Sequence, residues 1–81
     1  MHRVNILRGV ISNGKQRHLL RSMPPTFTVR DISVGIVFMT PPEMDAKAPL
    51  LAQEVLRQWH EAGKVEAAGT VDSLPAWRRA A

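Results

Sequence analysis

The clearest alternation of apolar and polar positions lies in residues 49–62 of the 81-residue chain. Leu51, Val55, Trp59 and Ala62 form one helical stripe, widened by Ala52 and Leu56, while Gln53, Glu54, Arg57, Gln58 and Glu61 take the other side. Pro49 suits the first helical position, where its missing N–H costs nothing, and Gly63 suits the left-handed stop. The period then changes. Lys64, Val65, Glu66 and Ala67 alternate as a half-buried strand with Val65 and Ala67 inward. Residues 69–75 read as a turn-rich loop, and Ala76, Trp77 and Arg78 return as the partner strand.

Upstream, residues 14–22 read as a helix capped by Ser12 or Asn13, with Leu19, Leu20 and Met23 as its apolar edge. Pro24 and Pro25 end it, because a residue before proline is pushed out of the helical region. Thr26, Phe27 and Thr28 suit a very short strand with Phe27 inward. Thr28 can cap a second helix, with Asp31 at its third position and Val29, Ile32, Ser33 and Ile36 as its inner face. Residues 33–39 leave two readings open: continuation of this helix, or a buried strand, since Val34, Ile36, Val37 and Phe38 are β-branched or aromatic. Cap and spacing agree on the helix. Thr40, Pro41, Pro42 and Glu43 have the spacing of a second capping box. Residues 41–46 then form a separate turn or short helix, since a proline deep in a helix costs about 3 kcal/mol. Residues 1–13 show no clean period and read as an N-terminal arm ahead of a domain spanning 14–81.

Composition narrows the chemistry. One domain of this size buries only about 60% of its unfolded surface, so its core is thin. There is no cysteine to staple it, which fits a reducing, cytoplasmic setting. No apolar run approaches the ~20 residues of a membrane span. Charge is uneven: residues 1–30 hold six Lys/Arg and no acid (+6), and residues 31–81 hold five against seven acids (−2), giving the net +4. A basic block of this kind favours a polyanion partner, though a solvated basic face has the same composition. His2, His18 and His60 lack ligand spacing. No serine sits in a nucleophile elbow, and the glycines form no phosphate-cradling loop. The expectation is a protein that is not an enzyme, with no cofactor, no metal and no small-molecule substrate.

The order helix, short strand, helix, turn, helix, hairpin resembles the winged helix-turn-helix superfamily. The resemblance rests on residues 27–32, on residues 55–66 with their Glu61-Ala62-Gly63 ending, and on Ala76, Trp77, Arg78 and Arg79, within a match over roughly 14–80. It implies an α+β fold of three helices plus a C-terminal β-hairpin wing. It further implies a DNA-binding protein, a transcriptional regulator of bacterial or phage type, with the third helix in the major groove of double-stranded DNA. The residues that would serve are Lys47, Gln53 and Arg57 on or beside the third helix, Arg30 on a phosphate, Arg78 and Arg79 at the wing, and Lys15, Arg17 and Arg21 as a flanking phosphate patch. A homodimer would supply a second half-site. Three features depart from the pattern: Glu54 and Glu61 on the third helix, Asp72 in the wing loop, and a long segment over residues 40–48. The acidic third helix, together with the apolar segment 34–44, motivates a second expectation, a winged-helix protein–protein interaction module.

Overall fold

Five residues separate the end of one helix from the cap of the next, and the middle of that connection ties the domain together. The computed structural model describes residues 11–80. Helix α1 spans Asn13–Ser22, with Ser12 Oγ accepting from the Lys15 amide at 3.3 Å. Leu19 is buried, and Gln16 Nε2 donates to the Ile11 carbonyl at 3.0 Å. Ile11 is itself fully buried, so the packed domain already includes it; the rest of the expected arm, residues 1–10, lies outside the described residues. Met23 is extended (ψ 146°) ahead of the two prolines, as sterics require.

Helix α2 spans Val29–Met39, so the strand reading of residues 33–39 is not adopted. Its start matches the capping box: Asp31 Oδ2 accepts the Thr28 amide at 2.9 Å. Ile32 and Ile36 are buried. Gly35 faces α1 so closely that an added Cβ would collide with Leu19 Cδ1. The expected second capping box does not form. Thr40 Oγ1 instead donates backwards to the Ile36 carbonyl at 2.9 Å, closing α2, and Pro41 opens a 3₁₀ helix over Pro42–Lys47.

Helix α3, Ala48–Glu61, begins directly after it, with Pro49 in its first turn. Its buried seam is Ala48, Ala52, Val55 and Trp59, rotated from the expected stripe; Leu51 and Leu56 are half-buried and Ala62 is exposed. Two small residues set that rotation, because a helix can approach a neighbour closely only over short side chains. The helix ends in a Schellman motif: Gly63 takes φ +73°, its amide bonds His60 O at 3.0 Å, and Lys64 N bonds Trp59 O at 2.9 Å.

Strands β1 (Val65–Val71) and β2 (Leu74–Arg79) form an antiparallel hairpin that runs through most of the expected 69–75 loop. The register slips between Ala67 and Thr70, where Gly69 takes φ +89° as a bulge. The connection is only Asp72 and Ser73, both at positive φ (52° and 67°). These angles suit a two-residue hairpin turn, but without the Asn-Gly signature that would mark one in the sequence. Ala67 is exposed rather than inward; Val65 and Ala76 are buried, since only the root of the hairpin meets the helices.

Phe27 pairs with β2 as a one-residue third strand. Its amide donates to Trp77 O at 2.9 Å, and Trp77 N donates back at 2.7 Å. Its fully buried ring meets Trp59 edge-on, with centroids 6.4 Å apart. The result is a small α+β domain, three helices and a C-terminal two-stranded sheet among the described residues, in a layout consistent with a winged helix.

This arrangement makes stability depend on two positions in opposite ways. Phe27→Ala removes a buried aromatic at the helix–sheet junction and should cost about 3–5 kcal/mol. That is most of the stability of a small domain, so urea titration by circular dichroism should show little or no native baseline. Ser73→Gly relieves a positive φ and should raise the melting temperature by about 4 °C, a gain of about 0.5–1 kcal/mol.

Candidate nucleic-acid interface

On α3, Gln53, Arg57 and His60 repeat at three- and four-residue spacing and share an exposed face, with half-buried Leu56 at its edge against the core. The first turn of α2 and strand β2 flank this face, making two adjoining hollows. One, of about 310 Å³, lies between Gln53, Arg57 and His60 on one side and Pro75 and Trp77 on the other. The second, of about 290 Å³, is bordered by Arg30, Ser33, Pro49, Gln53 and Leu74; Val29 and Gln53 belong to both. The floor of the larger hollow is chiefly apolar, and the His60 ring lies 4.9 Å from that of Trp77.

The cations expected to grip DNA divide into held and unheld groups. Arg57 is held by its own helix: Nε and Nη2 donate to Glu54, and Nη1 donates to Glu61 Oε2. The hydrogen bonds it donates to Glu54, and then to Glu61, push its pKa above the ordinary arginine value, so it stays charged but is locally neutralised. With two acids and one arginine, α3 has a net negative side-chain charge. Arg78 donates from Nε to Glu66 Oε2, its direct cross-strand neighbour. Arg79 Nη1 donates to the carbonyls of Met23 at 2.6 Å and Leu20 at 3.2 Å, satisfying the end of α1. Both arginines stand at the root of the hairpin, paired with Glu66 and Val65; its tip carries Asp72.

Among the described residues, Lys15, Arg17, Arg21, Arg30, Lys47 and Lys64 carry no ion pair. Arg30 borders the α3 groove beside Gln53, and Lys47 ends the 3₁₀ helix just before α3. Arg17 and Arg21, four residues apart, share the outer face of α1, with Lys15 on its flank. The structure therefore brings Arg30, Gln53 and Arg57 to one groove and leaves the α1 cations elsewhere. Lys64, which the sequence pattern marks only as a strand residue, joins Arg17 at a separate hollow. Among the described residues there is no group of three or more potential metal ligands, and no helix is long and apolar enough to cross a membrane. No protein-family model, curated protein or solved structure matches the chain.

The contacts of the two C-terminal arginines predict different mutational costs. Arg79→Ala, which frees the Met23 carbonyl and removes the second donor to Leu20 O at the end of α1, should lower stability by about 1–2 kcal/mol. Arg78→Ala, which breaks an exposed cross-strand pair, should cost less than about 1 kcal/mol and less still at high salt. Thermal melts of both variants at two salt concentrations check the contrast.

Proposed function

We propose that the protein is a small winged-helix DNA-binding protein, a cytoplasmic transcriptional regulator that inserts α3 into the major groove of double-stranded DNA. The observation that carries this reading is the exposed N-terminal half of α3. Gln53 points outward there without a side-chain hydrogen bond among the described residues, and the unpaired cations Arg30 and Lys47 flank it. Gln53 can read adenine bidentately, and Arg30 and Lys47 would meet phosphates. Arg57 reads a guanine only by exchanging its two carboxylate partners, so it contributes less than an unpaired arginine would. The α1 cations Lys15, Arg17 and Arg21 supply further phosphate contacts outside the groove, and a homodimer extends the contact to a second half-site.

Fluorescence anisotropy with labelled duplex at 50 and 200 mM salt tests this reading. Each phosphate contact should contribute about 0.9 to the slope of log affinity against log salt. Arg30→Gln should lower that slope by roughly one contact. Gln53→Ala should cost about 1–3 kcal/mol on a preferred site while leaving the slope unchanged. Absence of binding at low salt, or a flat salt response, overturns the proposal.

One set of observations favours a protein–protein interaction module instead. Side-chain charge on α3 is net negative, the groove beside it is floored by apolar atoms, and Val34, Val37 and Phe38 stand exposed on α2, Phe38 at 86%. Analytical ultracentrifugation separates the readings. A monomer that binds duplex DNA removes the module.

A further inference from the structure

Helix α1, the end of α3 and Lys64 border a third hollow, separate from the two beside α3. We propose that this hollow is a phosphate-binding site in which Arg17 and Lys64 hold one backbone phosphate of duplex DNA, so that DNA is gripped beside α1 as well as at the α3 groove. The proposal rests on the DNA-binding reading for the source of the phosphate, and on the hollow itself for its chemistry.

The hollow has a volume of about 310 Å³ and is bordered by Asn13, Gln16, Arg17, Leu20, Trp59 and Lys64, with a predominantly polar surface. Its two cations come from different elements and are placed by different constraints. Arg17 stands one turn into α1 on the exposed face, while the neighbouring Gln16 is buried and tied to the Ile11 carbonyl at 3.0 Å. Lys64 comes directly after the left-handed Gly63. Its backbone is clamped on both sides, its amide to Trp59 O at 2.9 Å and its carbonyl accepting from the Ala80 amide at 2.9 Å. The root of the lysine side chain is thereby fixed at the rim, while the ammonium stays free to reach inward.

Among the described residues no side-chain carboxylate borders the hollow. Asp31 closes the cap of α2, Glu54 and Glu61 hold Arg57, and Glu66 holds Arg78. Glu43 and Asp45 belong to the 3₁₀ helix, and Asp72 to the hairpin tip. A third positive charge lies nearby, since the Arg79 guanidinium donates to the carbonyl of Leu20, which borders the hollow. Like charges around a polar concavity raise its potential and favour an anion. A phosphate oxygen suits both donors, the guanidinium in a planar fork and the ammonium as a point charge. On α3, Trp59 faces the hollow while Gln53 and Arg57 face the reading groove, so the two sites address different parts of a duplex.

The test uses the full chain and two probes. In ¹⁵N-labelled protein, inorganic phosphate titrated against sodium chloride at matched ionic strength should shift the amides of Asn13, Arg17 and Lys64 saturably. The shift should disappear in Arg17→Gln/Lys64→Gln and persist in the charge-preserving Arg17→Lys/Lys64→Arg. In duplex titrations the neutral pair should lower the salt slope by about 0.9 for each cation that touches a phosphate. Circular dichroism melts establish that both variants fold. If wild type binds duplex and the neutral pair keeps the full slope, this second grip is overturned while DNA binding stands. If wild type binds no duplex, DNA binding fails. The hollow then stands as a site for a free phosphate if the saturable, Arg17- and Lys64-dependent shift is present. If no shift exceeds the chloride control, the site is overturned whichever way the duplex behaves.

Discussion

The domain depends on Phe27, where one residue joins the helices to the sheet through both its backbone and its side chain. Its amide and carbonyl pair with Trp77 on β2, and its ring packs against Trp59 on α3. The residue is positioned by its neighbours in sequence: prolines at 24 and 25 end α1, and the Thr28–Asp31 cap starts α2. A two-stranded hairpin is marginal by itself in water. Here its root is held by the Phe27 bridge, by Val65 and Ala76 in the core, and by Arg79 on the end of α1. With no cysteine in the chain, these contacts take the place of a cross-link.

Charge obeys a second logic. Acids and arginines are arranged so that α3 and the hairpin neutralise themselves locally: Arg57 with Glu54 and Glu61, Arg78 with Glu66. The unpaired positive charge of the described residues is left on α1, at the start of α2, and at Lys47 and Lys64. An ion pair on the exposed face of a helix contributes little to stability. It matters more for recognition, because a cation already matched to a carboxylate offers a phosphate little gain. On α3 itself the groove is thus better suited to shape and hydrogen bonding through Gln53 than to electrostatic grip, and its one unpaired cation, Arg30, comes from α2.

How much of the fold and the interface was legible in the chain depends on the range of each interaction. The helix ends were readable because proline, the Thr28–Asp31 cap and Gly63 act within one turn. The pairing of Arg57 was also within reach, since Glu54 and Glu61 stand three and four residues away. It competes directly with the reading of Arg57 as a base contact. The hairpin was harder. Its turn uses Asp72 and Ser73 at positive φ, a conformation those residues adopt less readily than glycine, and Gly69 serves a bulge instead of a loop. Thr40 resembled a cap for the 3₁₀ helix, but its hydroxyl serves the end of α2. The two uses have the same local sequence and differ only in the path the chain then takes.

The sequence by itself determined the kind and order of the elements, the apolar face of each helix to within a rotation, and the concentration of basic residues ahead of the acidic half. These are local or compositional properties, set by dihedral preferences and by spacing along one element. Beyond Arg57, only the tertiary structure decided which cations are engaged. Arg79 and the carbonyls of Leu20 and Met23 are more than fifty residues apart, and Arg78 meets Glu66 only in the register that the bulge imposes. Arg17 and Lys64 come to the same hollow because the Gly63 turn sends the chain back beside α1. A charge is available to a partner only if no nearer counter-charge has taken it, and that depends on distances set by packing between elements.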